Sequence, residues 1–176
     1  DYISEVNESA NDTLYSKDDI KKIYLKNADK AFNMDSDSVI TLNDARLDDI
    51  SASLVGTFAK VVMRNDKVYK IEAYTLYEGG VLNRADKEKI KYIHGEVNDN
   101  AMEGLDKVDD FQIYLDGVPT TDIYSLKRNY VFDYYINANE SKLILVVSSR
   151  VYTAEFSGTM EDCLILNGKR FETDPG

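Results

Sequence analysis

One histidine, one cysteine and a short alternating run of oxygen-bearing side chains are the residues here with the means to do chemistry. His94 is the only imidazole, so a Ser–His–Asp or Cys–His arrangement for acyl transfer has to be built on it. The sole cysteine, Cys163, lies in the apolar run Cys163-Leu164-Ile165-Leu166, where a thiol serves as a small buried hydrophobe rather than a nucleophile. The sequence contains no Gly-x-Ser-x-Gly elbow, no phosphate-cradling Gly-x-x-x-x-Gly-Lys and no His-Glu-x-x-His. Transition metals lack soft or imidazole ligands. Calcium has one candidate: Asn33-Met34-Asp35-Ser36-Asp37 spaces the oxygens of Asn33, Asp35 and Asp37 at alternate positions, as a hard cation requires. The run has neither the glycine nor the later bidentate glutamate of an EF-hand loop. No metal site, cofactor or catalytic residue is therefore expected.

Thirteen tyrosines and no tryptophan raise the question of sugar binding. A saccharide platform needs two or three coplanar aromatics on one face. Tyr134 and Tyr135 are neighbours on an expected strand, so their rings point to opposite faces, and Tyr74 and Tyr77 are expected to do the same. Amphipathic packing, with the hydroxyl at the surface, is the simpler expectation. Asn7-Glu8-Ser9, Asn11-Asp12-Thr13 and Asn139-Glu140-Ser141 fit the N-glycosylation pattern, as chance matches do in an Asn-rich chain.

The elements that carry these residues repeat. Ile20-Lys21-Lys22-Ile23-Tyr24 returns as Ile90-Lys91-Tyr92-Ile93-His94 and more faintly as Cys163-Leu164-Ile165-Leu166-Asn167. Between these anchors Ile40-Thr41-Leu42-Asn43-Asp44 matches Ile113-Tyr114-Leu115-Asp116-Gly117, and Lys67-Val68-Tyr69-Lys70-Ile71 matches Lys142-Leu143-Ile144-Leu145-Val146. Such a period marks one supersecondary unit used several times. It also argues against His94 as a base, since Tyr24 and Asn167 hold its place in the sister copies. Runs rich in Val, Ile, Tyr and Phe alternate with Asn, Asp and Gly turns, which predicts short strands. Residues 56–63 with 68–77, and 130–136 with 143–148, read as hairpins. Glu78-Gly79-Gly80 reads as a turn, Tyr152–Phe156 as a strand, and Asp49–Leu54 and Asp122–Leu126 as single helical turns.

The expected fold is mostly β: two tandem small modules, barrel- or sandwich-like, with short helical turns. Residues 1–19 are expected to be a polar linker, 20–89 the first module and 90–162 the second. Residues 163–176 are either a closing strand or the start of a further repeat. Units of this size are marginal alone, so they are expected to share an interface. A start at Asp1 suggests a processed product or an excised fragment. Lys and Arg number 21 against 32 Asp and Glu, a net charge of −11. That balance opposes nucleic acid and anionic lipid as partners, and no apolar run is long enough for a membrane helix.

The phrases Ile113-Tyr114-Leu115-Asp116-Gly117, Asp122-Ile123-Tyr124-Ser125-Leu126 and Lys67-Val68-Tyr69-Lys70-Ile71-Glu72-Ala73 resemble small tandem β modules of secreted Gram-positive surface proteins, including those with surface-layer-homology anchors. Modules of the same style occur in phage and tail-like particles. The resemblance implies a non-catalytic structural or interaction module of an extracellular or cell-surface assembly. Its expected partner is a protein or a cell-wall polymer, with assembly through a longer parent chain. The rival expectation is a carbohydrate-binding accessory module of a wall or polysaccharide enzyme.

Overall fold

A computed structural model describes residues 1–7, 17–47, 54–151, 153–160 and 163–172. Among these residues the chain is mostly β, with helix confined to 3-10 turns at Lys17–Asp19, Leu105–Lys107 and Ile123–Ser125. The first sheet comprises β1 (Ile3–Val6), β2 (Lys22–Leu25), β3 (Lys30–Leu42), β4 (Ala45–Arg46), β5 (Phe58–Arg64) and β6 (Lys67–Tyr74). Its order is β1-β2-β3-β6-β5, with β4 paired to β3. The second holds β7 (Tyr77–Ala85), β8 (Lys89–His94), β9 (Val97–Glu103), β10 (Asp110–Leu115), β11 (Val118–Thr120), β12 (Val131–Ile136) and β13 (Lys142–Ser148), ordered β11-β10-β13-β12-β7-β8-β9. A third, smaller sheet pairs β14 (Phe156–Met160), β15 (Cys163–Leu166) and β16 (Lys169–Glu172). Neither large sheet closes into a barrel; both are sandwich-like.

Register makes the repeat explicit. In the first sheet Ile71 of β6 lies parallel to Ile40 and antiparallel to Val61; in the second, Leu145 of β13 lies parallel to Ile113 and antiparallel to Tyr134. Asn43 and Asp116 open equivalent turns, each accepting a backbone N–H through its side-chain oxygen, from Thr75 and Ser149 respectively, at 2.9 Å. The bridge between Tyr2 and Phe58 corresponds to the pairing of Val81 with Val131. The first copy carries one more residue, Tyr69, which is absorbed by a bulge where Val62 faces Lys70 but Met63 faces Val68. The order β14-β15-β16 repeats β1-β2-β3 and β7-β8-β9.

Each large sheet encloses its own core. The first gathers Ile3, Ile23, Ile40, Leu54, Val68 and Ile71; the second gathers Leu82, Ile90, Ile113, Phe132, Leu143 and Leu145. Alternation along β6 and β13 drives this division, since every second side chain turns inward. Ile20, Ile90 and Cys163 are all buried, but the expected match of Ile20 with Ile90 is off by three residues: Val6 pairs with Ile23 as Ala85 pairs with Ile90, so Ile23 is the counterpart of Ile90.

Several expectations need correction. Residues 1–19 are not all linker: β1 pairs with β2, and Ile3 and Val6 are buried. By strand pairing, each unit starts one strand before its anchor, so Tyr77–Ala85 belongs to the second sheet rather than to a module ending at 89. These leading strands share no common phrase, which hides them from sequence comparison. Glu78-Gly79-Gly80 is no turn but lies within β7. There β7 runs between two close neighbours: a Cβ on Gly79 would lie 2.2 Å from the Phe132 carbonyl oxygen, and one on Gly80 2.1 Å from that of Ile93. Of the strand expected at Tyr152–Phe156, Tyr152 lies outside the described residues, residues 153–155 are not in a strand, and β14 runs from Phe156 to Met160. The helical turn at Asp122–Leu126 is present as Ile123–Ser125, capped by the Asp122 carboxylate on the Tyr124 N–H at 2.9 Å. Its counterpart expected at Asp49–Leu54 falls outside the described residues save for Leu54.

Candidate functional site

The most organised cluster of chemically active side chains lies where the two large sheets meet. Phe58 and Tyr74, at the start of β5 and the end of β6, pack with Tyr2 and Leu76 against Tyr114, Tyr135, Ile144 and Val146 from the outward faces of β10, β12 and β13. Phe58 meets Tyr114 edge-on at 4.9 Å between centroids, and Tyr74 lies 4.9 Å from Tyr135. Such offset and edge contacts add about 0.5–1.5 kcal/mol per pair beyond the area they bury.

A polar clasp borders this aromatic seam. Asp44, in the β3–β4 turn of the first unit, accepts hydrogen bonds from the Tyr135 hydroxyl at 3.1 Å and from Lys142 Nζ, both of the second. Lys142 Nζ also donates to the Tyr74 hydroxyl at 2.9 Å and lies over the Tyr74 ring. Asp110 stands 3.9 Å from the same ammonium. Burial, and then the hydroxyl's bond to the Asp44 carboxylate, push the Tyr135 phenol up to about 12. Burial opposes the charge on Lys142, yet its bonds to Asp44 and Tyr74 prevail and hold it above the ordinary lysine value. The lysine therefore stays an ammonium, a cross-unit ligand rather than a nucleophile.

The two copies differ where the clasp requires it. Positions equivalent to Tyr114, Tyr135, Ile144 and Val146 in the first unit are Thr41, Val62, Lys70 and Glu72. On that face Glu72 is paired with Lys70 and, at 3.3 Å, with Lys60. One sheet face has two chemistries: ion-paired in the first unit, aromatic and covered in the second. This contrast was present in the sequence, as Tyr135 against Val62 and Ile144 against Lys70, but becomes legible only once register fixes the matching positions.

The calcium candidate has a different occupation. Asn33, Asp35 and Asp37 lie within β3, Asp35 and Asp37 at the irregularity between Met34 and Val39. Arg64 Nη2 donates to Asp35 Oδ1 at 3.1 Å and stands 3.8 Å from Asp37 Oδ2, while the Asp37 N–H bonds Asp35 Oδ1 at 3.0 Å. That backbone bond, ahead of Arg64, holds the Asp35 carboxyl below the usual range although burial works the other way. A guanidinium thus sits where a cation's charge would be needed, and Asn33 faces Lys22 across the ladder. Among the described residues no three His, Cys, Asp or Glu side chains converge as a metal set.

His94 Nδ1 lies 3.1 Å from the Gly79 carbonyl oxygen and 3.9 Å from Glu78 Oε1. Cys163 is buried and unbonded to sulfur. Tyr134 and Tyr135 do face opposite ways: Tyr135 joins the seam, while Tyr134 packs toward the second core and 5.5 Å from Tyr77. Tyr74 and Tyr77 belong to different sheets, and Tyr77 is 56% exposed.

Two open clefts run beside the seam. One, of about 650 Å³, is lined by Lys60, Phe111, Tyr114, Pro119 and Thr120. The other, of about 590 Å³, includes Asp1, Tyr2, Asp116, Asp133 and Arg150. Their carboxylates are engaged locally: Asp1 accepts from the Asn27 and Ala28 N–H groups at 2.8 and 3.0 Å, and Asp116 accepts from Ser149. Burial raises the Asp133 carboxyl despite a bond from the Gly79 N–H. What this arrangement does chemically is hold two units together. No family model, curated protein or solved structure matches this chain.

Proposed function

We propose that the chain is a non-catalytic structural and interaction module in which successive β units are joined at a fixed angle, serving an extracellular or cell-surface bacterial assembly. The observation that carries this reading is the seam: side chains of two repeats form one apolar cluster bordered by a four-residue polar clasp. An assembly working through shape needs such a joint, because a loose one would let the distance between its ends vary. A net charge of −11 keeps separate copies apart in solution. Partners are a protein or a cell-wall polymer, met through uncharged β surface with tyrosine as anchor. No helix among the described residues is long and apolar enough to cross a membrane.

One observation favours a second reading. Tyr77 and Tyr134 form an exposed-to-half-buried pair on neighbouring strands, tilted by 39°. A tilted pair grips a flat sugar ring less well than a coplanar one. Saccharide-array profiling of the whole chain separates the two: the structural reading predicts no defined binder, whereas micromolar binding lost in Tyr77→Ala would transfer the case to carbohydrate recognition.

A further inference from the structure

Among the described residues, one half-buried carboxylate of the second unit forms no ion pair: Asp133. It sits on β12 between Val146 of β13 on one side and Glu78 of β7 on the other, each opposite it in antiparallel register. The first unit fills the matching position differently. Lys60 stands there, opposite Glu72, and the two form an ion pair at 3.3 Å. Like charges facing each other across a ladder are destabilising, whereas opposite ones contribute.

The groups around Asp133 come from both units. β7 supplies Glu78 and the Gly79 N–H, which donates to the carboxylate. The first unit supplies Tyr2, whose phenol is pushed up by burial and then by Asp133. The cleft they share also holds Asp1, Asp116 and Arg150. The Asp1 carboxylate is taken up by the Asn27 and Ala28 N–H groups, and its ammonium donates to the Ala59 carbonyl at 3.2 Å. Arg150 acts on Asp116. Behind Glu78, on β8, His94 Nδ1 stands 3.9 Å from Oε1. Burial is the largest influence on the Asp133 carboxyl and raises it; Glu78 adds to this, and the Gly79 bond works against both.

The place matters because β7 carries the chain into the second unit. Only residues 75–76 separate it from β6. Its pairing with β12 breaks register beside the carboxylate, since Gly79 is an extra residue between the pairs Phe132–Gly80 and Asp133–Glu78.

We propose that Asp133 makes the β7–β12 ladder an acid-tightened latch: protonation of its carboxyl removes an unmatched charge at this crossing and fastens β7 onto the second unit. A carboxyl that binds its proton more readily folded than unfolded favours the fold as pH falls through its folded value towards its unfolded one. Asp35, Asp86 and Asp116 work in the opposite sense. They are held below their ordinary values and lose their contribution only as pH falls below the ordinary aspartate value. The latch acts above that value, 3.8, so mild acid strengthens this crossing before stronger acid weakens the other sites.

The test is a carbon-13 carboxyl titration of the full 176-residue chain, with urea unfolding of wild type, Asp133→Asn and Glu78→Gln from about pH 7 to about pH 4. The Asp133 carboxyl should titrate above 3.8. Asp133→Asn should unfold at a higher urea concentration than wild type at neutral pH, and the gap should close as pH falls. Glu78→Gln, at an exposed side chain, should keep the fold and move the Asp133 titration down towards 3.8. A wild-type midpoint at or below 3.8 would overturn the latch. So would an Asp133→Asn chain less stable than wild type at neutral pH, or an Asp133 midpoint that rises in Glu78→Gln.

Discussion

Replacing Asp44 by alanine should loosen the joint between the two large units without unfolding either core. The carboxylate receives the Tyr135 hydroxyl and the Lys142 ammonium. Without it Lys142, whose side chain is 18% exposed, keeps Tyr74 and, at 3.9 Å, Asp110. Breaking a fully buried pair costs about 3–5 kcal/mol, whereas an exposed pair contributes about 0–1 kcal/mol. Asp44 is 36% exposed on its side chain, so the pair falls between these limits. A loss of about 2 kcal/mol follows, consistent with about 1.5–3 kcal/mol for a hydrogen bond to a charged group. Urea unfolding of wild type, Asp44→Ala, Lys142→Met and the double variant completes a cycle, and a coupling of about 1–2 kcal/mol is expected for residues in direct contact. A cost below about 0.5 kcal/mol for Asp44→Ala, or no coupling to Lys142, would refute the clasp as a stabilising device.

Raising the pH tests the same cluster from the other side. Tyr135 has a folded value of about 12 against an ordinary 10, and Lys142 is raised as well. Groups whose folded values are raised stabilise fully below their unfolded values and lose that contribution as pH climbs through the folded ones. Stability should therefore fall between about pH 10 and 12, and Tyr135→Phe should flatten that decline while costing about 1 kcal/mol at neutral pH. Gly79→Ala should cost about 2–3 kcal/mol by thermal unfolding, since its Cβ would meet the Phe132 carbonyl at 2.2 Å. His94→Asn should stay within about 0.5 kcal/mol of wild type by the same measurement. Calorimetric titration with calcium should show no stoichiometric uptake, because Arg64 already engages Asp35 and Asp37; tight binding abolished by Asp35→Asn would reverse that assignment.

The strands legible in the sequence were those that fill the cores. Val68 and Ile71 in β6, Phe132 in β12 and Leu143 and Leu145 in β13 are apolar because each faces an enclosed layer. Strands held chiefly by backbone pairing were not legible. The polar β9 runs beside β8 at the sheet's edge, and the first half of β3, read from the sequence only as a calcium candidate, pairs with β2 from Lys30 to Asn33. The glycines of β7 looked like punctuation, whereas close neighbours on both sides require them. The clasp was hidden for another reason. Asp44 and Tyr74 lie far in the chain from Tyr135 and Lys142, and nothing local marks them as partners. Only register shows that Tyr135 and Lys142 reach out of the second unit toward the Asn43-Asp44 turn of the first.

The central claim, that two repeats act as one rigid body, is tested most directly by residual dipolar couplings from β2, β3 and β6 together with β8, β10, β12 and β13. The clasped joint predicts that both sets fit a single alignment tensor with the inter-sheet orientation described here, and that Asp44→Ala weakens the alignment of one set relative to the other. Two different tensor magnitudes in the wild-type chain would contradict it.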